Sequence, residues 1–195
     1  MARSDPPVCL SMDVSTIKGT KIDWKALGLE PSVIATNSIR IKPRLITDKV
    51  EPNQTSCALV AYGASLKDTW KDVDDFGTIF TCSGAHKLLT ERDIVPTYHV
   101  ESDPQPHKIK MLGLPHHDVR YAVASCCHPS YLDTLERCHV SILLWHVYFP
   151  SKDVLPYLPI DEWLITGGHT IGPRMVKLAY LLGYRDVHLF GFDAS

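Results

Sequence analysis

From Ser56 onward, short apolar runs alternate with segments whose apolar residues recur at helical spacing. Cys57–Tyr62 (CALVAY), Thr78–Cys82 (TIFTC), Tyr98–Glu101, Val119–Ser125 (VRYAVAS), Val140–Trp145 (VSILLW) and Val187–Phe190 (VHLF) are apolar or β-branched and bounded by turn residues. That pattern predicts buried strands. Leu66–Val73, Ala85–Arg92 and Tyr131–Arg137 read as helices, and Trp163–Thr166 leads into the pair Gly167-Gly168. Pro173–Leu182 (PRMVKLAYLL) is the strongest helix, with Met175, Val176, Ala179 and Leu182 on one face and Gly183 as its C-cap. Strands alternating with helices of about ten residues imply right-handed βαβ units. The expected fold is therefore Rossmann-like, a three-layer α/β/α architecture with a mainly parallel sheet.

Residues 1–55 lack this rhythm and carry Pro6, Pro7, Pro31, Pro43 and Pro52. They are expected to form an arm or packing extension on a domain spanning 56–195, with a short helix over Asp23–Leu29 and a strand over Ser38–Ile46. The composition, 45% hydrophobic and 9% aromatic over 195 residues, is sufficient for a full core. A formal net charge of −2 argues against a general binder of nucleic-acid phosphates. No apolar run approaches the roughly 20 residues of a membrane span, and the start shows no signal-peptide pattern. Six cysteines without a CxxC spacing read as buried free thiols in a reducing cytosol. Self-association is left open.

In a parallel sheet, ligands bind where strand C-termini meet helix N-termini, because free N–H groups and the helix dipole favour anions. Three places qualify. Gly63-Ala64-Ser65 follows the first strand, where a small turn lets backbone amides approach a phosphate; a plain turn with Ser65 as N-cap is the alternative. Glu101-Ser102-Asp103-Pro104 closes the third strand, and two carboxylates so spaced suit Mg²⁺ on a diphosphate, or else a solvated acidic turn. Thr166-Gly167-Gly168-His169-Thr170 precedes the strongest helix, its glycines allowing close main-chain approach. Asp193 follows the last strand on the same edge. The ten histidines show no HExxH spacing, and most read as structural or solvated. His146 follows the fifth strand at the binding edge and is a candidate general acid or base.

With these residues in view, Ser56–Asp193 resembles the MptE-like domain family, named for an archaeal 6-hydroxymethyl-7,8-dihydropterin diphosphokinase and related to Maf flagellin glycosyltransferases and bacterial sialyltransferases. Ala61-Tyr62-Gly63-Ala64-Ser65-Leu66 is similar to the family's G-x-G-P-S-L turn, with Tyr62 and Ala64 replacing a small residue and a proline. Ile94-Val95-Pro96 leading to Glu101-Ser102-Asp103-Pro104 resembles its second element, with Thr97 where Asp is common. Gly167-Gly168-His169-Thr170, the helix ending Leu182-Gly183-Tyr184, and Gly191-Phe192-Asp193 resemble its third.

The resemblance implies a nucleotide-dependent transferase with two alternatives. One is diphosphate transfer from ATP to a hydroxymethylpterin, leaving AMP. The other is glycosyl transfer from a nucleotide sugar such as a CMP-linked nonulosonic acid. In this reading Glu101 and Asp103 hold Mg²⁺, and Gly63, Ser65, Gly167, Gly168 and Thr170 cradle phosphate or ribose. Asp193 orients nucleotide or acceptor, and Asp103, His146 and His169 are the catalytic candidates. In the related sialyltransferases a catalytic histidine is expected beyond the final G-x-D strand; here the sequence ends two residues after Asp193. That leaves open an element beyond Ser195, or a binding module without turnover.

Overall fold

A computed structural model describes residues 28–193 except 49, 160 and 169. Its centre is a seven-stranded sheet in which every neighbouring pair is parallel. The strands are β1 (Ser56–Val60), β2 (Ile79–Cys82), β3 (Tyr98–Glu101), β4 (Arg120–Ala124), β5 (Ser141–Val147), β6 (Leu164–Ile165) and β7 (Asp186–Phe190). Between them lie the helices α1 (Pro31–Arg40), α2 (Leu66–Thr69), α3 (Ala85–Thr90), α4 (Ile109–Leu112), α5 (Pro129–Arg137) and α6 (Ile171–Leu181). The spatial order is β6-β5-β4-β3-β2-β1-β7. Successive crossovers carry the chain from β1 across to β6, and the connection through α6 then returns it to the far side of β1. The fold is thus the expected three-layer, Rossmann-like α/β architecture.

Alternation along β1 shows how the two faces are filled, because successive side chains of a strand point to opposite sides. Ala58 and Val60 join Leu66, Val73, Ala85 and Leu89 in a small cluster under α2 and α3. Cys57 and Leu59 join Phe80, Cys82, Met175, Leu178 and Ala179 in the larger core, where α6 covers their face. That core also reaches the other face, where α5 adds Leu132 and Leu135 and its Tyr131 bonds His99 of β3. The described cysteines are free, four buried and Cys138 exposed. No helix among the described residues is long and apolar enough to cross a membrane.

Two expectations for the first 55 residues meet different outcomes. The helix over Asp23–Leu29 falls largely outside the described residues. The strand over Ser38–Ile46 is replaced by the end of α1 and an extended stretch that touches the sheet at a single parallel bridge, Arg44 to Leu144. The segment is integral to packing: Leu29, Ile34, Ile41, Leu45 and Ile46 are all buried in the large core. Asn37, fully buried on α1, donates from Nδ2 to the carbonyls of Ser125 and Cys127 at 2.9 and 3.0 Å, fastening the helix to the turn after β4.

Candidate functional site

A cleft of about 1160 Å³ opens above the C-terminal ends of β2, β3, β5 and β6, where it meets the N-terminus of α6. It brings together the Glu101–Gln105 turn, Lys108, the segment after β5 and the Thr166–Thr170 loop. Glu101, Asp103, Gly167, Gly168 and Thr170, all anticipated from the sequence, therefore border one space; His169 lies outside the described residues.

Glu101 ends β3 at 1% exposure. Its Oε1 accepts the amides of Ser102 and Asp103 at 2.8 and 3.0 Å, so the side chain folds back to support its own turn. Burial pushes its pKa up, against the opposing pull of Lys108 and those two amides. Asp103 accepts the Gln105 amide on Oδ1 at 2.9 Å and faces Lys108 Nζ from Oδ2 at 3.2 Å. Three of the four carboxylate oxygens are thus engaged: Glu101 Oε1 and both of Asp103. A Mg²⁺ ion held by this pair would share Asp103 with Lys108 and Glu101 with the amides of its own turn, as ligating carboxylates commonly do. Of the two, Asp103 is the accessible one, at 32% side-chain exposure. Elsewhere, His116, His117 and Asp118 bring candidate metal ligands within 4.8 Å of one another, but they precede β4 at the opposite end of the sheet.

A buried cation also borders the cleft. Arg174, in the first turns of α6, is 8% exposed and donates from one terminal nitrogen to Ser102 Oγ at 3.0 Å. Its buried Nε has no partner among the described residues. Burial pulls its pKa down, with Cys126 and Cys127 acting in the other direction. Gly167 makes this close packing possible. Its φ of +141° is a left-handed value that favours glycine, and a Cβ there would stand 3.2 Å from the Arg174 Cα and N. Thr166 Oγ1 accepts Lys177 Nζ at 2.6 Å, closing the loop onto the helix.

The turn after β1 is separate from this cleft. β1 and β7 are neighbours, and the chain leaves β1 through α2 on one face and reaches β7 through α6 on the other, the kind of place where a parallel sheet opens a ligand crevice. Here the chain fills it from within. Both Asp193 oxygens go to Ser65, Oδ2 accepting the amide at 2.6 Å and Oδ1 the hydroxyl. The Gly63 amide donates to Gly191 O at 2.9 Å, and a Cβ on Gly63 would meet that oxygen at 2.5 Å. Gly63, Ser65 and Asp193 are therefore brought together, as one latch.

His146 is 1% exposed and does not border the cleft. Its Nδ1 meets Ser125 Oγ at 2.9 Å and its Nε2 meets Glu162 Oε2 at 3.0 Å; Glu162 in turn pairs with Arg44. The composition is that of a Ser-His-Glu triad, but Ser125 is 1% exposed, so no substrate reaches its hydroxyl. The group joins β4 and β5 to the stretch after α1.

Sequence reasoning missed Arg174 and Lys108. For Arg174 a signal existed: it shares a helical face with Leu178 and Leu181, both buried, and an arginine on the apolar face of the strongest helix asks for a reason. Lys108 carried none, since its meeting with Asp103 depends on the turn between them.

No curated protein matches this chain. Among solved structures, the Maf glycosyltransferase from Magnetospirillum magneticum AMB-1 is similar, with a TM-score of 0.67 and 17% identity over 88% of this chain. The chain spans 29% of that protein's length, and the likeness is one of fold. Residues 35–195 match the family described as 6-hydroxymethylpterin diphosphokinase MptE-like. With that match over most of its length, and with the fold, glycine loop and Gly191-Phe192-Asp193 strand end seen here, the chain belongs to the MptE-like family.

Proposed function

We propose that the chain is a transferase whose nucleotide-activated donor lies in the cleft between the β3 turn and the N-terminus of α6. The observation that carries this reading is a single cleft bordered by Asp103, Lys108, Gly167, Gly168 and the buried Arg174. A nucleotide leaving group departs with negative charge, and basic side chains fixed in a partly dry cleft offset that charge without rearranging. The family and the Maf neighbour both support group transfer.

Of the two donor classes, a nucleotide sugar suits the side chains better. An acceptor hydroxyl attacks the anomeric carbon and the bond from that carbon to phosphate oxygen breaks. The nucleotide leaves with the electron pair, and the hydroxyl proton passes to Asp103, an accessible carboxylate of the cleft. Diphosphate transfer from ATP remains the second reading, favoured by the family's description. In that case Mg²⁺ would be carried in on the phosphates with Asp103 as a single protein ligand, the metal neutralising charge on the transferred group.

The test is a thermal-shift and nucleotide-release screen against CMP, UDP and GDP sugars and against ATP with and without Mg²⁺. A ligand at about 100 times its Kd should add roughly 2.7 kcal/mol of stability. Release of free nucleotide from a sugar donor supports the first reading, and Mg²⁺-dependent AMP formation the second. Asp103→Asn should cut turnover by about 100-fold or more while the protein stays folded; unchanged turnover removes Asp103 from the mechanism. Neither a shift nor release with any donor would leave a binding module of another kind.

A further inference from the structure

Arg174 is more than nine-tenths buried, uses one terminal nitrogen on Ser102, and leaves Nε without a partner among the described residues. Three carboxylates border the same cleft, Glu101, Asp103 and Asp153, and none forms an ion pair with it. Glu101 is committed to two amides and Asp103 to Lys108 and the Gln105 amide. A buried cation without a counter-ion is costly, so its retention calls for a compensating role. The helix that carries it adds to the same field. α6 runs for 11 residues, Thr170 gives it no side-chain cap, and its first turn holds no acidic residue. Among the described residues, neither a side-chain cap nor a first-turn carboxylate offsets the positive end of its dipole. At the β1 turn the reverse holds, since the Ser65 amide and hydroxyl are already taken by Asp193.

We propose that Arg174 and the uncapped N-terminus of α6 form the receptor for the donor's phosphate, with the nucleoside reaching along the cleft and the β1 turn serving as an internal latch. This rests on the nucleotide-donor reading and assigns within it the group that recognises the phosphoryl charge. Guanidinium suits the task because its donors are held in a planar fork that matches phosphate oxygens two at a time.

The experiment is calorimetric titration of the folded chain with CMP and ADP, with cytidine and adenosine, and with inorganic pyrophosphate. Each is repeated on Arg174→Gln, Arg174→Lys and Ser65→Ala. The expected result is a preference of tenfold or more for nucleotide over nucleoside in the wild type. Arg174→Gln should abolish that preference with nucleoside affinity unchanged, Arg174→Lys should keep part of it, and Ser65→Ala should keep all of it. Arg174→Met, which removes a buried charge, should melt no lower than the wild type without ligand and should gain no stabilisation from pyrophosphate. A preference that survives in Arg174→Gln, or that disappears in Ser65→Ala instead, overturns the assignment while leaving nucleotide binding intact. Pyrophosphate binding that depends on Arg174, with no nucleotide bound, upholds the receptor and removes the nucleotide reading. Binding of neither by the wild type removes both.

Discussion

Asp193 and Ser65 stand 128 residues apart in the chain, yet every oxygen of the carboxylate is answered by the serine. The Ser65 hydroxyl, then its amide, hold the Asp193 carboxyl below its ordinary pKa of 3.8. A carboxyl whose folded pKa is depressed lends stability that is present above its unfolded pKa and is lost as pH falls through the folded value. Asp193→Asn is therefore expected to melt below the wild type at pH 7, with the gap closing as the pH is taken down past 3.8. A gap that persists undiminished to pH 2 would show that the latch works by shape and not by charge. At this scale the sequence is legible only in part. It places Gly63, Ser65 and Asp193 on one edge of the sheet, because each follows a recognisable strand. It does not reveal that Asp193 takes the donors a phosphate would use, since that depends on β7 returning beside β1.

The elements from β1 onward follow the apolar pattern closely: β3 occupies Tyr98–Glu101 as predicted, and α5 begins at Pro129, two residues before its expected start. β-branched runs between turn residues decide the strands, and those cues are local. The order of strands is not local. The placement of β7 next to β1 comes from the long return through α6, and only the packed faces of that helix and the sheet determine it. α1 is the clear miss. Its sequence PSVIATNSIR mixes β-branched and polar residues whose intrinsic helix preference is weak. Yet Pro31 sits where the first turn tolerates a missing N–H, which was a usable start signal. What holds α1 is tertiary: Ile34 is fully buried, Asn37 bonds two carbonyls of the β4 turn, and Arg40 pairs with Asp133 and Glu136 on α5. The surface pairs contribute little, since exposed ion pairs are worth about 0–1 kcal/mol. Asn37→Ala leaves buried carbonyls unanswered and should cost about 1–3 kcal/mol in a denaturant melt. Arg40→Ala should cost less than half of that. Equal losses would mean that α1 is held by its surface and not by its buried amide.

Across the whole molecule, three buried histidines join the layers. His86 meets the Leu112 carbonyl at 2.8 Å and Tyr121 Oη at 3.0 Å, linking α3 to α4 and β4. His99 on β3 meets Thr81 Oγ1 at 3.1 Å and Tyr131 Oη at 3.0 Å, reaching β2 and α5. His146 holds Ser125 and Glu162. Burial is the first cause that lowers the pKa of each below 6.5, and it outweighs the raising effect of Leu112 on His86 and of Glu162 on His146. The unfolded chain therefore takes up protons first as the pH falls past 6.5, while the folded rings stay neutral. Stability from these groups is complete above 6.5 and declines as pH falls toward the folded values. Glu101 acts oppositely, because its raised pKa favours the folded state most below its ordinary 4.5 and offsets part of the loss at the acid end. The melting temperature should therefore be flat from pH 8 to 7 and fall steadily from pH 6.5 to 5. Unfolding at pH 5.5 should take up protons, and His99→Gln, which keeps a hydrogen-bonding side chain, should reduce that uptake by up to one proton. A flat profile through this window, or a variant with unchanged uptake, would mean that the rings are charged in the folded state. In that case the polar seams between the layers would be held by ion pairs, not by neutral hydrogen bonds.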